Sequence, residues 1–214
     1  MPNVESNPVV ITFPLRGEWV SVNTPGHHRF AFDLVAVQPE SQRYFSRSWL
    51  HLVLGLAPVS ISYSWSQPVD SPVNGTVLEA SDGWSDRLTL NVARDALKAF
   101  IFRPALIDND VRPFAGNYVL IESEGVVVML AHLRCGSLKI ASGETVQTNQ
   151  LIGEIGNSGN SIVPHLHIQV MDAADPLIAD ILPFGVTGCE VWNSDIWEPM
   201  NGEFLQKRKH FRST

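Results

Sequence analysis

The chain is punctuated so often that long helices have little room. Fourteen Pro and 15 Gly fall among its 214 residues, and the apolar stretches between them are short and rich in Val and Ile. β-Branched residues suit a pleated strand, and Gly, Pro, Asn and Ser end one. Val9–Phe13, Phe30–Val35, Gly75–Glu79, Asn117–Glu122, Val126–Leu133, Leu151–Ile155 and His165–Val170 all read as strands. Ser123-Glu124-Gly125 joins two of them as a tight hairpin turn. Gly156 to Ser161 is a loop entering another. The architecture expected is all-β, a sandwich or open barrel. One short helix is expected from Val92 to Phe100, capped by Asn91, with Ala93, Ala96, Leu97 and Phe100 on one face. Residues 36–66 mix Ser with aromatics and read as an insertion in a single domain spanning 1–214. Lys207 to His210 reads as a solvated basic terminus.

Composition narrows the class. Hydrophobics at 44% against charged residues at 17% suit a packed core. Fifteen Lys and Arg against 22 Asp and Glu give a net charge of −7. That acidic balance argues against broad nucleic-acid binding. Cys135 and Cys189 are too few for a disulfide framework and are expected as thiols. Met1-Pro2-Asn3-Val4-Glu5 lacks the basic and apolar regions of a signal peptide. The most apolar window, Trp49–Ile61, is broken by His51, Gly55 and Pro58 and is too short to span a bilayer. The expectation is a soluble chain, cytoplasmic by default, with no membrane partner.

The chemistry lies in the histidines. In Pro164-His165-Leu166-His167-Ile168, alternate strand residues share a face, so His165 and His167 stand side by side. Two such imidazoles can bind a metal, or one can bind it while the other moves protons. Paired half-buried core histidines would look the same. In Gly26-His27-His28-Arg29-Phe30-Ala31-Phe32-Asp33-Leu34, Asp33 interrupts an apolar strand. A buried carboxylate is costly unless paired or bound to a cation. Arg29 on the same face is the plain partner. Parity favours His27 as a neighbour of Asp33, whereas a bend favours His28. In Val126–Leu133 an apolar run ends at His132, whose face is expected to be shared with Val126, Val128 and Leu130. Two His and one Asp suit zinc and leave a fourth position for water. Further imidazoles can shuttle protons and steady an oxyanion. The reaction class is metal-assisted hydrolysis.

These motifs resemble the lysostaphin-type zinc metallopeptidases, most of which cut peptide crosslinks in bacterial peptidoglycan. The likeness is strongest over 116–186. It rests on Gly-Asn-Tyr-Val-Leu-Ile at 116–121, Ala-His-Leu at 131–133, Leu-Ile-Gly-Glu-Ile-Gly-Asn-Ser-Gly-Asn-Ser at 151–161 and Pro-His-Leu-His-Ile at 164–168. The stretch 68–80, opening Pro68-Val69-Asp70-Ser71-Pro72, is similar to the family's strand entry. The resemblance implies an all-β fold of the duplicated hybrid type and a Zn2+ cofactor. It implies stem or bridge peptides of peptidoglycan as substrate. It implies His28, Asp33 and His167 as zinc ligands, with His27 in reserve for His28, and His132 and His165 as catalytic residues. The family's usual His four residues before Asp is Arg29 here, and the tyrosine two residues before the catalytic His is Leu130. A related subgroup has His just before an Arg-aromatic-Ala-aromatic-Asp run, which selects His28.

Two other readings remain at this stage. A member of the fold that has lost activity can serve as a scaffold or activator module. A metallohydrolase with a substrate outside the cell wall would also suit a chain without an export signal. Cys135, three residues after His132, is expected to face away from any metal. His51 is expected as a packed residue. Asn117 and Asn160 are candidates to line a groove, or equally to serve as strand-start and turn residues, and Trp65, Trp84, Trp192 and Trp197 to rim it or fill the core.

Overall fold

A computed structural model describes residues 9–24, 26–39, 41–46, 57–91 and 110–214. The helix expected at 92–100, and His51, lie outside these. Strands β1 (Val9–Thr12), β2 (Glu18–Val22) and β3 (Phe32–Ala36) come first. Next are β4 (Ala57–Pro58), β5 (Pro68–Asp70), β6 (Gly75–Ser81) and β7 (Thr89–Leu90). A four-residue helix, α1 (Arg112–Ala115), precedes β8 (Asn117–Ser123) and β9 (Val126–Leu133). Then follow β10 (Thr145–Val146), β11 (Leu151–Glu154) and β12 (Leu166–Met171). Last are β13 (Ile181–Leu182), β14 (Phe184–Asn193), β15 (Ile196–Phe204) and β16 (His210–Ser213). The all-β expectation is borne out, with one short helix among the described residues. None of their helices is long and apolar enough to cross a membrane.

Twelve strands share one sheet, ordered β1-β14-β16-β2-β3-β12-β9-β8-β6-β10, with β13 on β12 and β15 on β14. Two-residue loop Glu124-Gly125 closes the β8–β9 hairpin with φ of 51° and 83°. Positive φ at both residues matches the right-handed twist of the strands, and Gly125 meets that demand without a Cβ.

Alternation sorts the central strands into two faces. Val128 and Leu130 of β9, with Leu166, Ile168 and Val170 of β12, enter the main core at 0–1% exposure. Each such aliphatic side chain gains about 1.5–3 kcal/mol on burial. Val69, Val146 and Ile152 cover them from the short strands. The opposite face carries a smaller cluster, with Tyr118, Leu120, Met129, Ala131 and Met171 under Val111 and Ala115. This second face holds the histidines. Within 36–66, Ala36 and Tyr63 join the main core, whereas Ala57, Val59 and Ile61 form a separate cluster with Leu90, Phe45 and Trp65.

The basic run Lys207–Lys209 holds a turn with Arg208 exposed, in keeping with its expected solvated state, and His210 opens a strand. That strand, β16, lies between β14 and β2, and its Phe211 is fully buried. Cys135 is exposed, Cys189 is buried, and both are free thiols.

Candidate metal centre and groove

Three neighbouring strands bring the site together. Asp33 on β3 pairs with His167 on β12, and His167 pairs with Ala131 on β9. Directly paired residues share a face, so Asp33 and His167 point into the same groove. Asp33 is 2% exposed. Its Oδ1 lies 2.9 Å from His167 Nδ1 and 3.5 Å from His165 Nε2, and its Oδ2 lies 3.1 Å from His27 Nδ1. The Thr24 hydroxyl donates to Oδ2 as well. Arg29, the plain partner, instead sets its guanidinium 4.3 Å from the centre of the Phe30 ring.

His27, Asp33 and His167 offer ligand atoms that all lie within 4.8 Å of one another. The structure thus brings His27, the reserve candidate, to the carboxylate in place of His28. β3 begins only at Phe32, so a turn rather than a strand carries the preceding residues. The His28 carbonyl accepts from the Ala31 N–H at 3.1 Å. The His28 ring turns to Phe30, whose N–H donates to its Nδ1 at 3.3 Å, with the ring centres 5.5 Å apart. That leaves His27 facing the groove, with its ring centre 5.3 Å from that of His167.

The donor set suits zinc. Tetrahedral ligands on bonds of about 2 Å stand about 3.3 Å apart, close to the 2.9 and 3.1 Å separations here. His167 is oriented from behind, because its Nε2 lies 3.0 Å from Gln169 Oε1. Without a cation Nδ1–H donates to Asp33 Oδ1; a cation between them would be met by an Nδ1 lone pair, with the proton on Nε2 donated to that amide. Outer partners of this kind typically account for 10–100-fold in metal affinity. Gln169→Leu is therefore expected to weaken zinc binding by about that factor, measured by chelator competition, while the fold is kept.

His132 reaches the same groove by an irregularity. Tyr118 pairs with Ala131 but Asn117 pairs with Leu133, so His132 is the extra residue of a β-bulge, with φ +62°. Strand parity would send it into the core beside Leu130. The bulge turns it to the face of Met129 and Ala131 instead. Its ring centre stands 4.6 Å from that of His165 and 6.0 Å from that of His167. Its Nδ1 donates to the Ser158 carbonyl at 2.9 Å, which leaves Nε2 with a free lone pair. His165 is held likewise, with Nδ1 donating to the Val163 carbonyl at 2.7 Å.

The loop that grips His132 is itself clamped. Ser158 Oγ donates to the Leu133 carbonyl at 2.8 Å and accepts from the Asn117 N–H at 3.0 Å. Asn117 Nδ2 donates to the same carbonyl at 2.9 Å. Asn117 takes the strand-start role rather than the groove role, opening β8 as a buried brace of the bulge. A Cβ on Gly116, at φ +64°, would lie 2.2 Å from Ser158 Oγ, so only glycine admits this approach. Asn160 does line the groove. Cys135 faces elsewhere, its N–H donating to Asp86. Ser158 and Gln169 escaped the sequence reading, because a serine in a Gly-Asn-Ser loop and a glutamine in a strand carry no chemical signal of their own.

Electrostatics separates the two catalytic candidates. Burial, with the charges of His165 and His167 nearby, holds the His132 imidazole well below its ordinary range. Burial also opposes charge on His165, but the Asp33 carboxylate outweighs it and raises that group. Burial pushes the Asp33 carboxyl up, yet the His165 charge and the imidazole hydrogen bonds hold it well below the usual carboxylate range. Two groups pushed apart in this way can divide base and acid roles.

Comparison with known proteins agrees with the motifs. Residues 105–178 match the family model of peptidase family M23. Over 67 residues, 31% of the chain, the sequence is 36% identical to the Peptidoglycan DD-endopeptidase ShyA of Vibrio cholerae serotype O1. That stretch is 15% of the relative's length. The catalytic domain of lysostaphin from Staphylococcus simulans is similar at a TM-score of 0.41 and 16% identity, over 80% of this chain and 86% of that one. A zinc containing peptidase from Vibrio cholerae gives a TM-score of 0.35 at 18% identity, over 74% of this chain and 37% of that one. The resemblance read from the sequence is borne out over the matched segment. His27 and Asp33 lie outside it in sequence.

Proposed function

We propose that this chain, which carries a segment of peptidase family M23, is a zinc-dependent endopeptidase acting on peptidoglycan peptides. The observation that carries the reading is the buried Asp33 carboxylate ringed by the imidazoles of His27, His165 and His167, with His132 beside them. His27, Asp33 and His167 are the residues that would hold the ion. Zinc, when bound, supplies a Lewis acid for the scissile carbonyl and lowers the pKa of water to about 7. The wall substrate is carried over from the ShyA relative, a peptidoglycan DD-endopeptidase.

The chain's own groups divide the remaining work. His132, neutral and with Nε2 free, accepts a proton from the attacking water. His165, as the imidazolium that the Asp33 carboxylate 3.5 Å from its Nε2 favours, donates from Nε2 to the oxyanion or to the leaving amine. The carbonyls of Ser158 and Val163 hold both rings by Nδ1, so neither has to reorient during turnover. Chelation of the purified protein is expected to abolish cleavage of a crosslinked stem peptide, and added zinc to restore it. Cleavage that survives complete removal of metal would overturn the assignment. A metal-free protein that zinc does not activate would favour a scaffold role.

A further inference from the structure

The groove in front of the imidazoles encloses about 310 Å3, and its walls away from them take no part in the proposed chemistry. Its walls are Val111, Phe114 and Ala115 from the α1 segment, Met129 and Ala131 from β9, and Leu177 from the loop after β12. Asn160 and Gln169 add neutral amides. Apart from His27, His132 and His167, no described residue lining it is ionisable. We infer that this cavity is the specificity pocket for a substrate residue next to the scissile bond, and that it selects a neutral aliphatic side chain. The inference rests on the peptidase reading for the orientation of the chain that enters.

The physical case is one of desolvation. An ammonium or carboxylate entering this space would leave water without meeting a counter-ion among the described lining residues. A glycine would leave the apolar walls unfilled. A branched aliphatic group would cover Met129, Phe114 and Leu177, and each added methylene in such a pocket is worth about tenfold or more in discrimination. The pocket adjoins the site directly, since His27, His132 and His167 line both. A side chain seated there therefore belongs to a residue flanking the reacting carbonyl. Bonds beside alanine or larger aliphatic residues fit this geometry, and bonds between two glycines do not.

The test uses the zinc-loaded full chain and blocked pentapeptides Gly-Gly-X-Gly-Gly, with X as Gly, Ala, Leu, Lys or Glu. Mass spectrometry of the products locates the cut relative to X. The expected order in kcat/KM is Leu above Ala above Gly, with Lys and Glu at least tenfold below Leu. Leu177, partly buried on a loop, gives the control. Leu177→Glu should narrow or reverse the Leu-over-Lys preference. Binding of the same peptides to the zinc-loaded His132→Ala protein is measured in parallel. Should the wild type cleave nothing while the binding order and its reversal hold, the peptidase reading falls and the pocket stands. Equal handling of Gly, Leu and Lys peptides in both measurements overturns the pocket.

Discussion

His132→Ala is expected to keep its zinc and lose about 100- to 10,000-fold in turnover, the range a positioned general base contributes. The residue touches neither Asp33 nor the ligand atoms of His27, so metal uptake has no reason to change. Its imidazole is buried, held neutral, and fixed with Nε2 toward the groove. Alanine removes the proton acceptor and leaves the rest of the site in place. Comparison with His132→Gly adds a readout that catalysis alone would not move. At φ +62° the backbone is in the left-handed region, which costs an L residue roughly 1 kcal/mol or more and glycine little. Both variants should be inactive, and the glycine variant should unfold at higher denaturant, by about 1 kcal/mol. Equal stability would mean that the bulge is relaxed in solution. Zinc loss in either would mean that His132 is a ligand.

Asp33→Asn is expected to have the largest effect on the metal. The carboxylate is the one anionic ligand and stands between two imidazoles at 2.9 and 3.1 Å. An amide carries no charge to balance the cation. The loss in zinc affinity should exceed the roughly 10–100-fold expected for an outer partner such as Gln169, and turnover should vanish with it. The metal-free chain offers a second measurement. A carboxyl held below its ordinary range stabilises the fold above the unfolded carboxylate pKa of about 3.9, and that contribution disappears as pH falls through the folded value. The wild-type apo protein should therefore lose stability in acid along a component that Asp33→Asn lacks. An unchanged acid profile would place the carboxylate in water.

Several features of the fold are plain from residue type. Val126–Leu133 and the HxH strand declare themselves by β-branched and apolar runs, because both faces of these strands are covered. The hairpin at Glu124-Gly125 is set by turn chemistry. The C-terminal strands are hidden, since β15 interleaves Glu, Pro, Asn and Gly and carries few buried residues. At the site, HxH parity puts His165 and His167 side by side, as both rings reach Asp33, although β12 itself begins only at Leu166. Parity fails at His132, where one extra residue in the β8–β9 ladder reverses the face. It gives no decision between His27 and His28, because those residues precede the strand and a turn settles their direction. Polarity leaves Asn117 open between groove and strand start, and its buried amide is used up on the Leu133 carbonyl of the bulge and on the Trp84 backbone.

The most direct measurement is bound zinc per chain in the wild type, His27→Ala and His28→Ala proteins, purified alike and checked for folding. The geometry predicts about one zinc in the wild type and in His28→Ala, and almost none in His27→Ala. Zinc retained by His27→Ala but lost from His28→Ala, or no zinc in the wild type after it is supplied, would contradict the metal centre described.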